Sequence, residues 1–182
     1  MDAGTFGVTH NWSWPPKLEQ FMATVYIETS IVSHASSRPS SDPTIALLQN
    51  QARDWWQWER PKFDVVTSQL VINEASAGDP IAAYERLTLL AGISLVPMTD
   101  EVQSIASALV SASMMPPKAT ADALHVATAA YAGVDYLLTQ NCRHIANAHI
   151  LPQVYATLKS LGFGGLLICT PAEFLGETDD DS

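Results

Sequence analysis

Basic residues are scarce in this sequence. Lys and Arg together number 9 against 19 Asp and Glu in 182 residues, a formal charge of −10. That balance argues against non-specific nucleic-acid binding through a broad basic face. It leaves room for a local patch, for binding through metal ions, or for a basic partner. Cysteine is scarcer still. Cys142 and Cys169 form no CxxC pair, so no disulfide framework is expected and a reducing compartment is. No apolar run approaches a transmembrane helix in length. The N-terminus shows no basic stretch followed by an apolar one, so no signal peptide is expected and a cytoplasmic location is. Hydrophobic residues, by contrast, make up 47%, enough for one domain with a sizeable core.

Residues 1–21 have no helical or strand period and contain Gly4, Gly7 and Pro15-Pro16. They read as a flexible arm. Met22 opens a compact segment and is a candidate initiator; alternatively, Trp12 and Trp14 dock on a partner. Residues 22–176 read as the domain, and 177–182 as a solvated acidic tail. Within the domain, short apolar runs at 23–27, 63–67, 94–96, 136–138 and 166–169 read as strands. Helical patterns separate them: Thr44 to Pro61, Ser68 to Ala77, Asp79 to Gly92, Thr99 to Ser113, Thr120 to Gly133 and Leu151 to Leu161. Ser33 to Pro43 reads as a loop. Such alternation predicts an α/β fold, a parallel sheet of about five strands with helices on both faces.

The stretch 120–147, TADALHVATAAYAGVDYLLTQNCRHIAN, organises the chain. Ala123, Val126, Ala127, Ala130 and Tyr131 share one helical face, and the alanines let that helix lie close on a sheet. Thr120 is a candidate N-cap, Asp122 sits in the first turn, and Gly133 ends the helix. Open α/β sheets bind ligands at the carboxyl ends of their strands. Asp122 and Thr139 to Asn141 are therefore expected at one crevice.

Three acids lie at strand–helix junctions: Glu28 after the first strand, Glu74 on the helix after the second, and Asp122 before the fourth. They are far apart in sequence, so only the fold can gather them. If they converge, they form a negative pocket suited to a hard divalent ion such as Mg²⁺ or Mn²⁺. Singly, each has a plain reading. Glu28 can be a solvated strand end, Glu74 an exposed helical residue, and Asp122 a favourable charge at a helix start.

Taken together, VYIETSIVS at 25–33, SQLVINEASAGDP at 68–80, ADALHVATAAYAGVDYLLTQNCRHIAN at 121–147 and LLICTPAEFL at 166–175 resemble the PIN-domain ribonucleases, especially toxins of the VapC type. The resemblance implies a PIN-like fold and Mg²⁺- or Mn²⁺-dependent hydrolysis of RNA phosphodiesters, leaving a 5′-phosphate and a 3′-hydroxyl. It implies a protein antitoxin and a homodimer. Glu28, Glu74 and Asp122 fall on the family's catalytic, metal-holding acids, and Asn141 falls on its fourth. Ser30 and Thr139 match supporting hydroxyls. Two departures stand out: Glu28 replaces the usual Asp, and Asn141 offers a carbonyl oxygen but no charge. The set then suits one ion better than two.

Lys118, Arg143 and His144 are the best local phosphate contacts in an acidic chain. His125 reads as a packed or supporting residue. Trp55 and Trp56 fall on the apolar face of their helix, whereas Trp58 lies off it and is the candidate dimer or antitoxin contact. A non-catalytic PIN-like module binding RNA or protein is the alternative, supported by Asn141. A phosphatase or phospho-acceptor needs a nucleophilic Asp after the first strand, where this chain has Glu28-Thr29-Ser30.

Overall fold

The computed structural model describes residues 22–112 and 120–176. The arm of residues 1–21, the tail of residues 177–182 and Lys118 lie outside the described residues. Five strands form one sheet: β1 (Thr24–Ile27), β2 (Asp64–Ser68), β3 (Ser94–Val96), β4 (Tyr136–Leu138) and β5 (Leu167–Cys169). Their order is β3-β2-β1-β4-β5, and every pairing is parallel. The helices are α1 (Thr29–Ser36), α2 (Pro43–Asp54), α3 (Gln69–Ala75), α4 (Pro80–Leu90), α5 (Asp100–Ala112), α6 (Thr120–Tyr131) and α7 (Leu151–Ser160). No helix among the described residues is long and apolar enough to cross a membrane.

β1 is the centre of the sheet. Val25, Tyr26 and Ile27 are all fully buried. Successive strand residues point to opposite faces, so both faces of β1 are covered. Each fully buried aliphatic side chain here contributes about 1.5–3 kcal/mol. α6 lies close because Ala123, Ala127 and Ala130 put only methyl groups against the core. Gly133, at φ 65°, turns the chain out of α6 toward β4. α3 and α4 start as their sequences predict, with Ser68 accepting from Val71 N–H and Asp79 accepting from Ile81 and Ala82 N–H.

Two expectations need correction. The segment after β1 is not a simple strand end followed by a loop from Ser33: residues Thr29–Ser36 form α1, with Glu28 as its N-cap. The helix expected through Pro61 is α-helical only to Asp54; Trp55–Glu59 widen into a π-turn and Arg60–Lys62 tighten into a 3₁₀ turn. Of the residues expected on its apolar face, Trp55 is fully buried, whereas Ile45, near the start of the regular α-helix, is 43% exposed. Trp55 stacks on Phe63 at 6.2 Å, and Phe63, Tyr136 and Phe174 complete an aromatic cluster. Phe63 and Tyr136 precede or begin their strands, so this cluster seals the amino end of the sheet and leaves the carboxyl end open for chemistry.

Candidate metal centre

β1 lies between β2 and β4. Successive strands β1, β2 and β3 build outward on one side, and β4 and β5 on the other. The reversal opens a crevice at the carboxyl ends of β1 and β4, where α/β sheets bind ligands. Glu28 stands there. Its backbone N–H donates to Leu138 O at 3.1 Å, which holds it beside β4.

Glu28 is only 6% exposed. Its Oε2 accepts from Ser30 N–H at 3.1 Å, from Ser30 Oγ, and from Thr139 Oγ1 at 2.7 Å. The two hydroxyls are themselves set by the turn after β4. Gln140 N–H donates to Ser30 Oγ at 2.8 Å and Asn141 N–H to Thr139 Oγ1 at 3.0 Å. The extra methylene of Glu over Asp thus lets the carboxylate curl back over its own helix start.

Glu74 reaches the crevice from the last turn of α3. Its Oε2 accepts from Thr29 Oγ1 and lies 3.1 Å from His125 Nε2. Asp122 approaches from the first turn of α6. Its Oδ1 accepts from Asn141 Nδ2 at 2.8 Å, and Asn141 Oδ1 accepts from His144 N–H at 3.1 Å. Asn141 thus turns its carbonyl oxygen to the His144 backbone N–H and presents its amide to Asp122.

One pattern runs through all three acids. Each has one oxygen held by fixed donors. The other oxygen, Glu28 Oε1, Glu74 Oε1 or Asp122 Oδ2, has no hydrogen bond among the described residues. Single ligand-capable atoms of Glu28, Glu74 and His125 lie within 4.8 Å of one another. Asp122 stands outside that trio but within electrostatic reach of both glutamates.

The charges respond accordingly. Burial raises the Asp122 pKa, and the nearby Glu28 and Glu74 carboxylates push the same way, outweighing His144 and His125. Burial also works upward on Glu74, but the hydrogen bonds from His125 and Thr29 outweigh it and hold that carboxyl below its ordinary value. A cluster whose acids repel across a partly buried crevice, each with an oxygen left open, has the donor chemistry of a hard divalent ion. Glu28, Glu74 and Asp122 fit a divalent ion on that ground.

Of the expected phosphate contacts, His144 is half-buried beside Asp122 and Arg143 is exposed at the rim. Sequence reasoning did not single out Thr29 or Tyr26. It also gives His125 no defined partner, although one signal is present: His125 is a polar residue among the mostly apolar positions of α6, one turn from Asp122.

The family model for the PIN domain matches residues 25–149. No curated protein and no solved structure matches the chain significantly. The matched span runs from β1 past the turn that carries Asn141 and His144, and so contains every residue of the crevice. The chain belongs to the PIN-domain family, whose members are generally metal-dependent nucleases.

Proposed function

We propose that this chain is a Mg²⁺- or Mn²⁺-dependent ribonuclease that hydrolyses RNA phosphodiesters and acts as the toxin of a toxin–antitoxin pair. The observation that carries the catalytic part is the trio of open carboxylate oxygens at the switch point of the sheet. A divalent ion held there supplies electrostatic stabilisation of charge on the phosphoryl group and activation of water. Glu28, Glu74 and Asp122 hold the ion. Ser30 and Thr139 keep Glu28 in place, and Asn141 keeps Asp122 in place. Arg143 and His144 meet the RNA backbone at the rim, with Lys118 as a further contact. The acidic overall charge disfavours RNA binding through a broad face, so the contacts are placed at this edge.

The toxin role rests on the VapC-type resemblance of 121–147, as do a protein antitoxin and a homodimer as partners. Trp58, 62% exposed, offers an aromatic anchor for either contact.

The test is cleavage of a mixed RNA pool with Mg²⁺ or Mn²⁺, beside EDTA and an Asp122→Ala control. Metal-dependent cleavage lost in the variant supports the reading. Folded protein that cuts no RNA and binds neither ion in calorimetry overturns it in favour of a non-catalytic module.

A further inference from the structure

Behind the open face of the site lies a line of polar groups that the proposed reaction does not use. Ser68 and Tyr26 are fully buried and His125 is 2% exposed. Ser68 Oγ lies 2.7 Å from Tyr26 Oη, Tyr26 Oη lies 3.1 Å from His125 Nδ1, and His125 Nε2 lies 3.1 Å from Glu74 Oε2.

We propose that Ser68, Tyr26 and His125 form a buried relay that fixes His125 as an Nε2–H donor to Glu74, making His125 and Tyr26 positioning residues for the metal centre. The inference rests on the metal-dependent reading above and adds to it residues that touch neither ion nor RNA.

The donors decide the direction. An ionised carboxylate only accepts, so the contact with Glu74 requires a hydrogen on His125 Nε2. The neutral imidazole then accepts at Nδ1. Tyr26 is the group in place to donate there, since its phenolic O–H is a donor at neutral pH. Tyr26 Oη in turn accepts from Ser68. A hydrogen on Nδ1 as well would reverse Tyr26 and Ser68 but leave the Nε2 donor unchanged.

The relay also closes on itself. Ser68 caps α3, and Glu74 lies in the last turn of the same short helix. Tyr26 of β1 and His125 of α6 therefore brace both ends of α3. His125 shares Glu74 Oε2 with Thr29, which leaves Oε1 free. The other two acids are alike in leaving one oxygen open: Glu28 Oε2 takes three donors and Asp122 Oδ1 takes one. Carboxylates and donors behind a metal centre typically tune ion affinity by about 10–100-fold.

The experiment combines ¹⁵N NMR of the histidine rings with calorimetric titration of Mn²⁺ and Mg²⁺. It uses the wild-type protein and the variants Tyr26→Phe, His125→Gln and His125→Leu. The relay predicts a protonated Nε2 on His125 in the ion-free protein, unchanged on saturation with diamagnetic Mg²⁺. It predicts a loss in ion affinity of about 10–100-fold for Tyr26→Phe and His125→Leu, partly rescued in His125→Gln, whose amide can still donate. An unprotonated Nε2, or one that gives up its proton when Mg²⁺ binds, overturns the proposal, the latter making His125 a ligand. Folded Tyr26→Phe protein with wild-type affinity overturns it too. If Tyr26→Phe does not fold, the wild-type ring spectrum and the Gln–Leu contrast decide. If wild-type protein binds neither ion, the metal-dependent reading fails, and the ring spectrum alone still decides the relay.

Discussion

Asn141 donates its side-chain amide to Asp122 Oδ1 at 2.8 Å. An acid at 141, which the family resemblance leads one to expect, has no proton to give when ionised and would set a fourth negative charge in the crevice. The neutral amide does the opposite: it stabilises Asp122 as a carboxylate and turns its second oxygen loose. Asn141 thus resembles Ser30, Thr139 and Thr29 in donating to one oxygen of an acid, and differs from the acid that the resemblance implies there.

Asn141→Asp is therefore expected to weaken the ion-free protein at pH 7. A hydrogen bond to a charged group is worth about 1.5–3 kcal/mol, and the added charge repels three others. Urea unfolding should show a loss of about 1–3 kcal/mol, shrinking when Mg²⁺ or Mn²⁺ is saturating, because bound ions stabilise the folded state. An ion-free variant as stable as the wild type would mean that Asn141 does not hold Asp122 in solution.

Asp122→Asn should stabilise the ion-free protein at neutral pH while removing ion affinity. The Asp122 pKa is raised on folding by burial and by Glu28 and Glu74. A carboxyl raised in this way binds its proton more tightly in the folded state. Its charge therefore opposes folding above the folded pKa, and the opposition fades as pH falls through that value toward the unfolded one. The melting-temperature advantage of the variant should accordingly be largest near pH 7 and vanish below the ordinary aspartate range. An advantage that grows on acidification contradicts this account.

Glu28 depends on two hydroxyls that share one of its oxygens. Ser30→Ala and Thr139→Val should each weaken Mn²⁺ binding by up to about 10-fold, and together by about 10–100-fold. Glu28→Gln should cost more than either. Because both hydroxyls meet the same atom, their effects should couple in a double-mutant cycle. Strict additivity in calorimetric titrations would separate the two contacts.

Much of this arrangement is legible in the sequence, for a physical reason. Buried parallel strands must be short apolar runs, and alanine-rich helices must lie close on them, so the α/β order follows from pattern alone. The three acids stand at junctions that the sheet's topology brings to one end. Side-chain direction is another matter. Nothing in the order of residues says that Asn141 turns its amide toward Asp122 rather than its carbonyl toward an ion, since both ends fit the same volume. Nor does periodicity show Tyr26 meeting His125, because that contact depends on how β1 and α6 pack. The α1 helix is not legible in the sequence because Glu28 is an unusual N-cap and the serines that follow it resemble a loop.

The tryptophans give a contrast that stability measurements can read. Helical spacing places Trp55 and Trp56 on one face; Trp55 is completely buried at the π-turn, and Trp56 packs partly buried against the core with the Arg60 guanidinium 5.1 Å from its ring. Trp58, two residues further on, is 62% exposed. Trp55→Ala should cost about 3–5 kcal/mol, because it empties the centre of the aromatic cluster. Trp58→Ala should change monomer stability by less than about 0.5 kcal/mol. Urea unfolding of both variants at low protein concentration checks the pair. If Trp58 is the partner contact, its loss should leave unfolding of the isolated chain unchanged and instead weaken dimerisation in analytical ultracentrifugation or capture of a co-expressed antitoxin. A substantial loss of stability in the isolated chain would mean that Trp58 packs against its own domain, and would remove the reason for assigning it to an interface.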